Sequence, residues 1–268
     1  MPLARPRHKV ILDRGNMKNV YRTTVGLFVI MVIWQLADIV FQFKKFILPS
    51  PTEVYAATSK NWTWLLEESI PTLQEITIGF ALSVIVGLPI AILLSSSRRL
   101  EQYINPILII SQTVPKVAIA PLFVIWFGFG MLPKIVIAFL IAFFPIVVDS
   151  TIGLKSVPQD LRDLVASTGA SKWRALLSVK IPYAAPSIFG GLKLAMTFST
   201  IGAIVGEFVG TSQGLGYIVI VANGRLDTPL VFSAVILLSI IGLLLYNLVS
   251  FLESKIIPWH VSQSQADE

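Results

Sequence analysis

The groups able to do chemistry in this 268-residue chain are few. Cysteine is absent, which removes thiolate nucleophiles, disulfides and cysteine metal sites, and the two histidines are His8 and His260. Gly210-Thr211-Ser212-Gln213-Gly214 spells G-x-S-x-G. A nucleophile elbow also needs a preceding strand, a following helix and a histidine base in reach, and neither histidine is predicted on the same side as Ser212, so these glycines are assigned to a loop. There is no H-E-x-x-H pair and no G-x-x-x-x-G-K-[ST] loop, so zincin chemistry and an ATP-phosphate cradle are unsupported. What remains are polar groups inside apolar runs. Ser111, Gln112, Thr113 and Lys116 cluster around Pro115, and Thr197, Ser199, Thr200 and Glu207 share a glycine-rich run. Such groups can bind or conduct a solute, and an ionisable residue in a membrane span is a functional candidate by default.

The elements that position them follow from composition. With 54% hydrophobic and 13% charged residues and a mean hydropathy of +0.77, the chain is an integral membrane protein; soluble domains hold about 45–50% apolar and about 25% charged residues. Apolar runs at 24–41, 76–94, 104–127, 135–148 (extended by Leu132 and Ile152), 188–209 and 230–252 predict an all-α, six-span polytopic protein. The first run has no A-x-A cleavage site and is read as a span. The third contains Pro106, Pro115 and Pro121 and should be kinked or unwound, which is tolerated only where protein or a water-filled cavity replaces lipid. Between the first two runs, Trp62 and Trp64 suit an interfacial belt.

The positive charge of +6 is explained by where it sits. With the amino terminus inside, the inner segments hold Arg5, Arg7, Lys9, Arg14, Lys18, Arg22, Arg98, Arg99, Lys155, Arg162, Lys172, Arg174, Lys180 and Lys255. The outer segments hold only Lys44, Lys45, Lys60, Lys134 and Arg225. The positive-inside rule therefore places both termini and the polar loop 156–182 in the cytoplasm, with no need for nucleic acid. The organisation expected is a basic segment 1–22, a six-helix region 23–253 and a tail 254–268.

Loop 156–182 is polar where the rest is apolar. Ser156 with Gln159 reads as a capping box with Pro158 in the first turn, and Leu161, Leu164, Val165 and Thr168 fall on one face of a helix that stops at Gly169. A second helix starts at Ser171, carries Trp173, Leu176 and Leu177, and ends at Pro182. This knob either lies on the headgroups or plugs a partner.

Asp163, Gly169, Ala170, Val179, Ile181 and Pro182 resemble the acidic-Ala-Ala, Gly, Ile-x-Leu-Pro loop of ABC importer permeases. Asp163 stands for Glu, Leu164 and Val165 for the alanines, and Val179 and Ile181 for Ile and Leu. F-I-L-P-S-P-T at 46–52, A-P-L-F-V-I-W-F-G at 120–128, G-E-F-V-G at 206–210, G-L-G-Y at 214–217 and P-W-H at 258–260 extend the likeness to roughly residues 25–260. They resemble the branch serving nitrate, sulfonate, taurine and bicarbonate, together with importers of thiamin-pyrimidine precursors, riboflavin and aromatic acids.

The resemblance implies a type I ABC importer permease in a prokaryotic inner membrane. Its partners would be a second copy of itself, two copies of an ATPase subunit that uses ATP and Mg, and an extracytoplasmic substrate-binding protein; the permease itself would be no enzyme. Asp163, Val165, Ala166, Gly169, Ala170, Ser171, Trp173 and Pro182 would then couple to the ATPase. Ser111, Gln112, Thr113, Lys116, Thr197, Thr200 and Glu207 are the expected lining of the route. Each has a plainer reading. Lys116 can snorkel, Glu207 can be a solvated gate residue, and Gly202 and Gly206 can serve close helix packing. An ion-coupled secondary transporter is the alternative, although no duplicated half is visible.

Overall fold

Proline and glycine decide where the helices of this chain bend and where they touch. The computed structural model describes residues 14–41, 44, 46–209 and 212–259. The helices are α1 (Arg14–Phe41), α2 (Pro51–Lys60), α3 (Trp62–Ser96), α4 (Arg98–Thr113), α5 (Lys116–Phe127), α6 (Met131–Lys155), α7 (Gln159–Ser167), α8 (Lys172–Ala175), α9 (Ile181–Phe208), α10 (Leu215–Gly224) and α11 (Thr228–Ile256). A π turn, Leu176–Lys180, joins α8 to α9 without a break.

Helix α6 is the axis of the bundle, with α3 and α9 packed on it. Small residues make this contact possible. A Cβ added to Gly202 would lie 2.6 Å from the Ala138 Cα, and one added to Gly79 would lie 2.6 Å from the Ala138 Cβ, so α9 and α3 close on α6 at one level. Hydroxyls tie the same helices: Ser83 Oγ donates to the Phe139 carbonyl at 2.9 Å, and Ser199 Oγ donates to the Ile76 carbonyl at 2.8 Å. The packing reading of Gly202 and Gly206 is the one the structure supports, whereas Gly210 lies outside the described residues.

A second layer packs α10 and α11 around Leu65, Leu215, Ile218, Ala222, Leu230 and Ala234. Asp227 caps α11 by accepting from the Leu230 N–H at 3.3 Å. Ser50 and Glu53 form a reciprocal capping box on α2, a pattern already spelled by S-P-T-E.

Four helical rods among the described residues are long and apolar enough to cross a membrane: α3, α6, the continuous rod from α8 through α9, and α11. The α4–α5 pair, bent by 92° at the Val114–Pro115 break, makes a fifth. Among the described residues length and composition thus give up to five spans, with the apolar stretch Phe28–Phe41 of α1 in addition. Trp34 of α1 packs on Phe232 of α11 at 5.7 Å between ring centroids. Helix α3 has 35 residues. At about 1.5 Å per residue it exceeds a hydrocarbon core of about 30 Å, so its first turns, with Trp62, Trp64, Glu67 and Glu68, extend beyond it.

The loop 156–182 departs from expectation at both ends. Ser156 does not cap α7; its Oγ donates to the Gly153 carbonyl at 2.8 Å, closing α6 instead, and Pro158 occupies the N-cap position. Pro182 does not end the second helix. It sits in the first turn of α9, where a missing N–H costs little, and the π turn carries the chain through. Gly169 does end α7, at φ +67°, and Ser171 Oγ accepts from the Arg174 N–H at 3.2 Å to start α8.

Candidate functional site

At one end of the bundle the knob rises from a buried base. Leu154, Leu176 and Ala184 pack with Ile92, Ile181 and Ile188, and Val157 is buried beside them. Above that base almost nothing is covered. Helix α7 has no buried residue, Leu164 is 62% exposed and Trp173 is 65% exposed. Asp163, Ala166, Gly169, Ser171 and Trp173 are exposed, while Val165, Ala170 and Pro182 are half-buried. Asp163 Oδ1 accepts from Gln159 Nε2 at 3.1 Å, a tie within its own helix. A Cβ on Gly169 would meet nothing within 4 Å. The constraint there is the backbone angle, which favours glycine.

At the opposite end, Glu75, Lys134 and Glu207 are buried together at 0%, 3% and 1% exposure. Lys134 Nζ pairs with Glu75 Oε1. Thr72 Oγ1 donates to Glu207 Oε1 at 2.5 Å and accepts from the Leu215 N–H at 2.9 Å, and the Gly216 N–H donates to Glu207 Oε2 at 2.6 Å. The Gly214 N–H donates to Glu68 Oε2 at 2.5 Å, and Lys134 Nζ also reaches the Gln213 carbonyl at 3.4 Å. This clasp pins the loop before α10 to α3, α6 and α9. Its glycines are spatial requirements: a Cβ on Gly214 would overlap the Glu207 carboxyl, and one on Gly206 would lie 2.9 Å from the Lys134 Cα.

Glu207 is therefore a buried, fully bonded group rather than a solvated gate residue. Lys134, counted above among outer-loop charges, is interior. Glu75 and Lys134 were missed as partners. Glu68, Thr72 and Glu75 recur at helical spacing on α3, which was the available signal.

Four of the remaining route candidates divide between two cavities. Gln112 and Lys116 line one of about 500 Å³ with Phe144, Asp149 and Phe198. Lys116 Nζ stands 4.0 Å from the Phe144 ring centroid. Thr197 and Thr200 line another of about 650 Å³ between α9, α10 and α11, with Ser239, Gly242 and Tyr246. Ser111 and Thr113 hydroxyls are satisfied by carbonyls of their own helix, at Ile107 and Ile110. Asp149, at the edge of a predicted span, was not singled out by the sequence.

A family model described as a binding-protein-dependent transport system inner membrane component matches residues 83–258. The chain belongs to this family. A probable ABC transporter permease protein of Haemophilus influenzae is 41% identical over 87% of this chain and 95% of its own length. The riboflavin transport system permease protein RibX of Chloroflexus aurantiacus is 38% identical over 89% and 90%, and the formylaminopyrimidine transport permease protein ThiX of Halalkalibacterium halodurans is 34% identical over 92% and 100%. Among solved structures, a chain of the MetNI methionine ABC transporter in an inward-facing conformation superposes with a TM-score of 0.61 at 22% identity, over 73% of this chain and 95% of that one. That likeness carries the fold, the type I ABC importer permease architecture. This permease is accordingly a membrane-embedded subunit of an ABC importer.

Proposed function

We propose that the permease works as a homodimer, with two copies of an ABC ATPase docked on the knob and an extracytoplasmic binding protein at the clasp end, in a prokaryotic inner membrane with both termini cytoplasmic. The carrying observation is the knob itself, a rigidly based but uncovered helix pair whose second member runs without a break into a span. ATPase closure pressing on Asp163, Val165, Ala166, Gly169, Ala170, Ser171 and Trp173 is transmitted through the π turn and Pro182 to α9 as a tilt, because that rod has no hinge loop. ATP and Mg are used by the ATPase subunit, and this chain supplies no phosphate cradle. The solute moved is a small organic or inorganic anion or a compact heteroaromatic nutrient, a range supported by relatives named for sulfonates, nitrate, taurine, riboflavin and formylaminopyrimidine.

The test uses Gly169. Gly169→Val removes the left-handed turn and adds bulk, and is expected to abolish co-purification of the ATPase, whereas Gly169→Asn, which tolerates that angle, retains most of it. Labelling of a cysteine at Ser171 by a membrane-impermeant reagent should occur only from the cytoplasmic side. Labelling from outside would overturn the orientation and the import direction together.

A further inference from the structure

The buried charged side chains Glu75, Lys134, Glu207 and Glu253 all have polar partners, whereas two half-buried charged groups that share one cavity, Lys116 and Asp149, have no ion-pair partner. Glu75 pairs with Lys134, Lys193 pairs with Glu253 at 2.8 Å, and Glu207 is held by hydrogen bonds. Among the described residues, neither Lys116 nor Asp149 makes an ion pair, and the Asp149 carboxylate accepts no hydrogen bond. Both line the cavity of about 500 Å³ between α5, α6 and α9. Burying unmatched charge in apolar surroundings is costly, so such groups either keep water or are matched by what enters.

The surroundings are built rather than incidental. A Cβ on Gly191 would lie 2.9 Å from the Asp149 Cβ, so α9 presses on the stem of Asp149 and holds its position on α6. Pro145 has no N–H to give to the carbonyl of Ile141, another residue of the cavity wall, and so leaves an acceptor there without its helical partner. Phe144, against Lys116, and Phe198 supply an aromatic wall. One cation, one anion, an amide at Gln112 and an apolar face together fit a single ligand class.

We infer that this cavity is a transit site for a small amphoteric solute, its anionic group toward Lys116, its protonated or hydrogen-donating group toward Asp149, and its flat body on the phenylalanines. This rests on the importer reading and narrows its substrate class.

The test exploits the absence of native cysteine. Val148→Cys, on the cavity wall, reports occupancy by its rate of reaction with a small thiol reagent, in nanodiscs holding the permease and its ATPase without binding protein. The probes are three of one shape: 4-(aminomethyl)benzenesulfonate, 4-methylbenzenesulfonate and 4-methylbenzylamine. The zwitterion is expected to protect the thiol at about tenfold lower concentration than either singly charged probe. Lys116→Gln should abolish its advantage over the amine, and Asp149→Asn its advantage over the sulfonate. Unchanged thiol reactivity in both variants without probe controls for misfolding. Equal protection by all three probes, or by none, overturns the proposal. The same labelling repeated on the permease without its ATPase judges the site separately, so failure of the ATPase to co-purify would count against the importer reading alone.

Discussion

At the clasp end, three charged side chains are buried to 3% exposure or less, and each polar atom of the loop before α10 that they touch is spoken for. At the knob end, Asp163 is exposed, Leu164 and Trp173 stand in the open, and α7 buries nothing. Both ends are polar in an apolar protein, yet they use polarity differently. The clasp spends it inward, where a removed partner leaves an uncompensated charge in low dielectric. The knob presents it outward, where its removal costs the isolated chain almost nothing. Polarity by itself therefore does not mark one kind of surface in this permease; burial separates the part that holds the fold from the part left open.

The sharpest way to break that contrast is Lys134→Met. It keeps the volume that Gly206 accommodates but strands Glu75 beside Glu207, and breaking a buried ion pair from one side costs about 3–5 kcal/mol. Thermal unfolding in detergent should show a drop of many degrees. Adding Glu75→Gln should restore part of the loss, since the stranded charge is then gone. No recovery in the double variant would mean that the clasp is held by shape alone.

A smaller effect is expected from Thr72→Val. The side chain is nearly isosteric, but Glu207 loses a donor and the Leu215 N–H loses its acceptor. Unsatisfied buried groups cost about 1–3 kcal/mol, and the loss should appear first as faster amide exchange in residues 212–218, because the hydroxyl bridges that loop to α3. Uniform loosening of the bundle would argue that Thr72 is part of the general core instead.

The same contrast explains what could be read from the sequence. Spans, the kink near Pro115, the stop at Gly169 and the start at Ser171 are local, set by hydropathy runs, proline geometry and a serine followed three residues later by an N–H to cap. The errors arose where two local options competed and tertiary structure chose. Ser156 could cap forward or close α6, and it closes α6. Pro182 could terminate a helix or be carried through one, and the π turn before it lets the chain continue as a single rod. Lys134, one residue outside the predicted fourth run, looked like a loop charge. Its burial depends on Gly206 admitting α9 so closely, a contact between residues far apart in sequence. Asp149 lies in the extension of the same run, on a helix that continues to Lys155, and only the packing of Gly191 against its stem gives it a fixed place.

The smallest change to the isolated chain should come from Asp163→Ala. Asp163 is exposed, with a side-chain hydrogen bond from Gln159 of its own helix, and exposed substitutions of this kind shift stability by less than about 0.5 kcal/mol. If the knob is a docking surface, the same variant should weaken ATPase association and uncouple ATP hydrolysis from transport, with the melting temperature unchanged. Asp163→Glu, which keeps the charge and lengthens the reach by one methylene, should restore both. The pairing of an unaltered melt with lost assembly is what a headgroup-resting loop would not produce, since such a loop has no partner to lose. Equal assembly in wild type and Asp163→Ala would shift the docking energy onto Trp173 and Leu164, the exposed apolar members of the same knob.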